Sequence, residues 1–255
     1  MFDAIVIGAG FSGIYQLHSL KNILNLNCHL FEKGNEIGGT WYWNNYPGAR
    51  CDTESQAYCY FFDKKIYNKW NWTERYPGQP EIKSYLNFVV KELDLLKSIS
   101  ISSKVIEMAF LDDLNIWEIK LADGKTYQSK FIITAVGCLS KPYTPSIPGL
   151  ENFKGEIFHT AQWPKKDVKF NSKDVAVIGT GSSGVQIIPE IAMKAKSLTV
   201  LQRTANFSIP ARNHKLNNEK LNEHKKNFEY LKNLTASNRH GHPWKHSNIP
   251  VNKFY

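Results

Sequence analysis

Two hexapeptides of the form Gly-x-Gly-x-x-Gly, Gly8–Gly13 (GAGFSG) and Gly179–Gly184 (GTGSSG), constrain this chain more than any other feature. Each follows a short apolar run and opens a segment of helical spacing. Before the first, Ala4 to Ile7 has the length and composition of a buried parallel strand. After it, Ile14, Leu17, Leu20 and Ile23 recur at helical spacing from Phe11 to about Leu24, and His29-Leu30-Phe31-Glu32 predicts the next strand. The second hexapeptide has the same setting: a strand over Val175 to Ile178, a helix from about Val185 to Met193, and a strand over Leu198 to Leu201. In such a unit the first glycine makes the tight turn, the second lets a pyrophosphate approach the backbone, and the third lets helix and strand pack closely. The helix N-terminus then offers unpaired amides to phosphates. The expected fold class is α/β, with two Rossmann-like dinucleotide-binding domains.

The two units end differently. Glu32 closes the second strand of the first, about 20 residues after the glycines, where a carboxylate bonds ribose hydroxyls and repels a 2′-phosphate. Gly8, Gly10, Gly13 and Glu32 therefore suit FAD or NAD. In the second unit the equivalent place holds Gln202, followed by Arg203 and Thr204. A guanidinium and a hydroxyl accept a 2′-phosphate, which favours NADPH over NADH at the second hexapeptide. The plainer alternatives are glycines that only turn a strand into a helix, and Arg203 as a surface cation. Two such sites in one chain imply hydride transfer between them.

Between the units, residues 38–80 are crowded with Gly, Trp, Tyr, Asn and Pro without a sustained period, a length of loop that is usually functional. Pro80 opens a helix whose apolar face carries Ile82, Leu86, Val89, Val90 and Leu93. Strands are expected near Lys104–Phe110 and Ile116–Leu121, with a turn at Asp123-Gly124, and over Phe131–Ala135. Pro142, Pro145 and Pro148 mark an extended crossing. This predicts a first domain over 1–140, a linker over 141–152 and a second domain over 153–255. The last includes a polar helix over Leu216–Lys232 and a loop from Ser237 to Tyr255.

Composition narrows the remaining classes. No stretch approaches the roughly 18 to 20 apolar residues of a spanning helix, so no transmembrane segment is expected. The start has an acid early and no basic lead, unlike a signal peptide. Cys28, Cys51, Cys59 and Cys138 form neither a CxxC pair nor a Cys/His ligand spacing. They read as reduced thiols of a cytoplasmic protein, with no metal site. The formal net charge is +9, part of it in Lys215, Lys220, Lys225, Lys226 and Lys232. That cluster reads as a solvated helix face, with no motif of a nucleic-acid partner beside it.

The stretch from Phe153 to Pro164, FKGEIFHTAQWP, resembles the FxGxxxHxxxWP fingerprint of Baeyer–Villiger monooxygenases, with Phe153, Gly155, His159, Trp163 and Pro164 at its fixed positions. Residues Gly38 to Asp52, GGTWYWNNYPGARCD, are similar to that family's second signature. The likeness spans nearly Ala4 to Asn213. It implies FAD and NADPH as cofactors, dioxygen and a small organic substrate as partners, and oxidation of a ketone to an ester or lactone through a flavin peroxide. Sibling enzymes that oxygenate nitrogen or sulfur share both glycine motifs and remain an alternative, as does a non-catalytic nucleotide-binding fragment.

Carried over by position, the likeness sets Ser12 at the FAD site and Thr180, Gly181, Ser182, Ser183 and Gly184 at the NADPH site. It sets Thr40, Trp41, Asp52 and Tyr58 around the flavin and Val105 as a backbone contact to its adenine. Asp52 matches the active-site aspartate. His159 and Trp163 match residues thought to couple cofactor binding to domain motion, although each also reads as an ordinary packed side chain. Asn45 departs from the arginine usual at its position. Members of the family are longer, with the NADP domain inserted in the FAD domain and the catalytic arginine on returning segments. Neither Arg50 nor Arg212 matches that arginine. The C-terminal part is therefore expected to be missing, and this chain alone to be poorly stable and weakly active.

Overall fold

The computed structural model describes residues 1–239 and 241–244. Most of the loop expected over 237–255 lies outside the described residues. Residues 1–49 and 79–208 form one compact unit, and residues 50–78 with the described residues from 209 onward form a second.

The first unit is built on a six-stranded sheet in the order β3-β2-β1-β6-β5-β4. β1 (Phe2–Ile7) lies between β2 (Cys28–Phe31) and β6 (Thr126–Thr134), parallel to both. This is why its sequence is an unbroken apolar run: Ala4, Ile5 and Val6 are fully buried, as a strand covered on both faces requires. Helix packing covers one side, and on the other Ile5 and Phe31 pack with Ile119 and Leu121. α1 (Phe11–His18) buries Gly13, Ile14 and Leu17, and α4 (Gln79–Glu92) buries Ile82, Tyr85, Leu86, Val89 and Val90. Each such aliphatic side chain contributes about 1.5–3 kcal/mol on burial. The expected first helix does not run unchanged to Leu24. Beyond His18 it loosens into one π turn over Ser19–Ile23, where the Leu24 amide donates to Ser19 O at 3.0 Å.

β4 (Val105–Leu111), β5 (Ile116–Leu121) and β6 form an antiparallel meander. Asp123-Gly124 makes the expected turn, with Gly124 at φ +88°. The strand expected at Phe131 begins five residues earlier, at Thr126. One strand serves two partners here. Its polar first half pairs antiparallel with β5, and its apolar second half pairs parallel with β1. Only the apolar half carries a readable signal. A short edge strand, β3 (Ile99–Ser100), escaped the pattern because two residues have no period.

The second glycine motif lies in the same unit, between β7 (Asp174–Ile178) and β8 (Ser197–Leu201), which form a separate two-stranded parallel sheet. α5 (Ser182–Ala192) buries Ile187 and Ile191 in a cluster with Tyr46, Ala49 and Phe170.

Within the long aromatic loop, short helices α2 (Thr40–Trp43) and α3 (Lys64–Lys69) form. Asp63 caps α3, its carboxylate accepting from Lys65 N at 2.6 Å and Ile66 N at 3.0 Å. In the second unit the chain after Arg212 runs beside residues 73–76, with Arg75 N donating to His214 O and Leu216 N to Thr73 O. The expected polar helix is two helices, α6 (Asn218–Lys226) and α7 (Phe228–Ser237), broken at Asn227. The break lets Phe228 turn inward, where it is 1% exposed and packs on Phe61 and Tyr67.

Candidate dinucleotide sites

At the first site each glycine of the motif has a distinct reason. Gly8 has φ +104°, and a β-carbon there would meet the carbonyl of Ala135. A β-carbon on Gly13 would run into the carbonyl of Gly8, so helix α1 meets β1 with no room for a side chain. Gly10 precedes the first turn of α1, and Ser12 lies in that turn. Gly39, at φ +54°, backs directly onto Gly10, where a β-carbon would stand 2.6 Å from its Cα. The Gly38 amide donates to Ala9 O at 2.9 Å. Gly38 and Gly39 are thus structural parts of the first turn. The sequence reading placed them only in a signature, because a close approach between segments distant in the chain leaves no local spacing.

Glu32 is 4% exposed at the end of β2. One carboxylate oxygen accepts from Ala9 N and the other from Gly34 N, each at 2.7 Å. The carboxylate therefore tightens the glycine turn. Each carboxylate oxygen keeps acceptor capacity beyond its one amide. Ser103 N donates to Glu32 O at 2.8 Å, which brings the entry to β4, and Val105 at its start, beside Glu32. Thr40 is exposed at the beginning of α2, whereas Trp41 is buried and its carbonyl accepts from Gln79 Nε2.

At the second site Gly179 has φ +100°, and a β-carbon on Gly184 would meet Gly179 O, repeating the geometry of Gly8 and Gly13. Gly181 precedes α5, which opens with Ser182 and Ser183. Thr180 is held from both ends: its hydroxyl accepts from Gln202 Nε2 at 2.6 Å and its carbonyl from Asn206 Nδ2 at 2.7 Å. Gln202 therefore shapes the turn. Arg203 and Thr204, next in the chain, are exposed to solvent.

The fingerprint links these turns within the same unit. His159 Nδ1 accepts from Ala161 N and its Nε2 lies 3.1 Å from Tyr143 O, so the imidazole ties the proline-rich crossing to the fingerprint. Trp163 makes tilted ring contacts with Phe158 and Phe170 and packs on the cluster under α5. Pro164 O accepts from Asn45 Nδ2 at 3.3 Å. The unusual asparagine thus bonds the fingerprint directly. Phe153 is 59% exposed, its ring lying over Gly155.

Asp52 and Tyr58 belong to the second compact unit. Asp52 is exposed and follows Cys51, whose thiol is pushed up to about 11 by burial. The Tyr58 amide donates to Glu54 O at 3.0 Å. Of the two arginines weighed earlier, Arg50 pairs with Glu74 at 3.2 Å, and Arg212 adopts φ +52°. Among the described residues, no helix is long and apolar enough to cross a membrane.

The sequence profile of the family described as "Flavin-binding monooxygenase-like" matches residues 3–222. The chain is 45% identical over 230 residues to phenazine N-monooxygenase PhzNO1 of Lysobacter antibioticus, covering 90% of this chain and 42% of the relative. To cyclohexanone 1,2-monooxygenase of Acinetobacter sp. it is 43% identical over 228 residues, covering 89% of this chain and 42% of that protein. Among solved structures, oxidized steroid monooxygenase bound to NADP superposes with a TM-score of 0.92 at 40% identity, covering 99% of this chain and 48% of that one. The chain spans less than half the length of the relatives it matches. With both glycine turns and the fingerprint falling inside the matched region, the chain belongs to the flavin-binding monooxygenase-like family.

Proposed function

We propose that the first glycine turn holds FAD and the second NADPH, and that the reaction served is oxygenation of a ketone to an ester or lactone. The observation that carries this reading is the contrast between the buried Glu32 carboxylate closing the first turn and the exposed Arg203 following the second. A carboxylate selects ribose hydroxyls, whereas a guanidinium accepts the extra phosphate of NADPH. The fit of a dinucleotide is supported by the open space at the second glycine of the second turn, where a β-carbon on Gly181 would meet nothing within 4 Å. On this reading residues 1–140 serve the flavin and residues 153–255 the nicotinamide, joined by 141–152.

Gly8, Gly10, Ser12 and Gly13 would approach the flavin pyrophosphate and Glu32 its ribose, with Val105, Thr40, Trp41 and Tyr58 around the remainder. Thr180, Gly181, Ser182, Ser183 and Gly184 would hold the NADPH pyrophosphate. Arg203 and Thr204 would hold its 2′-phosphate. The flavin, when bound, supplies two-electron acceptance from the nicotinamide and reactivity with dioxygen. The protein supplies placement, charge and exclusion of water. We assign Asp52 to the reacting centre, on its match to the family's active-site aspartate.

We place the reaction in a polypeptide of the relatives' length that includes this chain. Such a polypeptide, given NADPH, dioxygen and cyclohexanone, is expected to form the ring-expanded lactone. A second reading, N-oxygenation, is favoured by the phenazine N-monooxygenase among its relatives at 45% identity. Product analysis with phenazine beside cyclohexanone separates the two. N-oxide without lactone would select the second reading, and binding of both cofactors without oxygen uptake would leave only nucleotide binding.

A further inference from the structure

The loop over 38–49 is anchored on the first glycine turn and on α5, the helix that follows the second, and each anchor is a direct contact. At one end Gly39 backs onto Gly10, and Gly38 N bonds Ala9 O. At the other end Tyr46 Oη donates to Gln186 Oε1 on α5 at 2.8 Å. Gly48, at φ +79°, lies so close that a β-carbon would strike Gln186 O and stand 2.9 Å from Glu190 Cγ. Between these ends Asn45 bonds Pro164 O, Lys165 Nζ donates to Tyr42 O at 2.7 Å, and the same ammonium lies 4.0 Å from the centre of the Tyr42 ring. Underneath, Tyr46 and Ala49 share one buried cluster with Ile187 and Ile191. A segment held this way cannot shift at one turn without loading the other, because packed interiors transmit displacement instead of absorbing it.

We propose that this loop is a strut coupling the occupancies of the two dinucleotide turns, with the Tyr46–Gln186 hydrogen bond and the close approach of Gly48 to α5 as its joint. A dinucleotide ordering residues 8–13 fixes Gly39, and through the loop it fixes α5 in the position that the second dinucleotide needs. The second ligand then has less ordering to supply, which is positive cooperativity. Linkage requires the effect to be equal in both directions. Tyr46, Gly48 and Gln186 are positioning residues in this scheme. His159 is set apart from them, since its bonds to Tyr143 O and Ala161 N lie within the link itself. The proposal rests on the reading that each turn binds a dinucleotide.

The test is a set of titrations on the 255-residue chain. The Kd for NADP+ is measured by calorimetry with and without FAD, and the Kd for FAD with and without NADP+. The wild-type chain is expected to show the same ratio both ways, within the roughly 5- to 150-fold range typical of such coupling. Tyr46→Phe and Gln186→Leu are expected to bring the ratio towards one while the Kd for FAD alone stays unchanged. Gln186→Glu, which keeps an acceptor for the tyrosine, is expected to retain it. A merely structural role would move the single-ligand constants and the melting temperature but not the ratio. Should Tyr46→Phe fold poorly, Gln186→Leu leaves the ring in place and decides alone. Two dinucleotides that bind with a ratio of one, or a wild-type ratio surviving both substitutions, overturns the strut. Failure of either nucleotide to bind the wild-type chain overturns the functional reading beneath it, and the strut with it.

Discussion

Glu32 has a structural task, and on the proposed function it has a binding task as well. Its carboxylate accepts from two backbone amides, Ala9 N inside the glycine turn and Gly34 N after β2. Glu32→Ala leaves the Ala9 amide without that acceptor, which costs about 1–3 kcal/mol of folding stability. Glu32→Gln keeps an acceptor for one of the two amides and turns an NH2 to the other, so it is expected to fold at part of that cost while losing the charge that favours ribose hydroxyls. Its affinity for FAD should fall by about 10- to 100-fold, the range of a charge-assisted hydrogen bond. Fluorescence titration of the folded Glu32→Gln chain with FAD checks this, and an unchanged Kd would remove Glu32 from the flavin site. The two glycine turns were legible because their geometry follows from local spacing after a strand. Gly39 and Gln186 were not, since each acts on a segment far away in sequence.

At the scale of elements, β1 and β2, each with a buried apolar run, declared themselves, as did α4 by its spacing. β6 was half-hidden because its first residues alternate polar side chains, and β3 is too short for any pattern. The β2–β3 edge carries a pH dependence that no pattern shows. His29 stacks on Phe2 at 5.5 Å, and its Nε2 lies 2.8 Å from Ser100 Oγ on β3. Burial holds its pKa below the ordinary 6.5. The unfolded chain therefore binds more protons than the folded one as pH falls below 6.5, so stability declines over that window and is recovered above it. Urea midpoints measured from pH 7.5 down to 5 are expected to fall, and His29→Asn should flatten the decline. It should not abolish it, because burial lowers the pKa of His224 in the second unit as well. An unaltered slope in His29→Asn would show that this imidazole is not part of the dependence.

The molecule as a whole leaves the second glycine unit thinly supported. β7 and β8 pair with each other alone among the described strands. Ile178 is 60% exposed, Leu201 49% and Met193 72%. A two-stranded sheet is marginal in water, and open edges with apolar faces invite association. At raised concentration the purified chain is expected to self-associate and to bind a hydrophobic dye, both reduced by Ile178→Thr with Leu201→Thr. Light scattering that stays monomeric at every concentration would contradict this.

The central claim is that one turn is closed by a carboxylate and the other opened by a guanidinium. The most direct measurement is the affinity of the FAD-loaded chain for NADP+ against NAD+, in the wild type and in Arg203→Ala. The wild type should prefer NADP+ by about 10- to 100-fold, and Arg203→Ala should lose most of that preference while binding NAD+ as before. Equal affinity for the two nucleotides in the wild type, or a preference that survives Arg203→Ala, would contradict it.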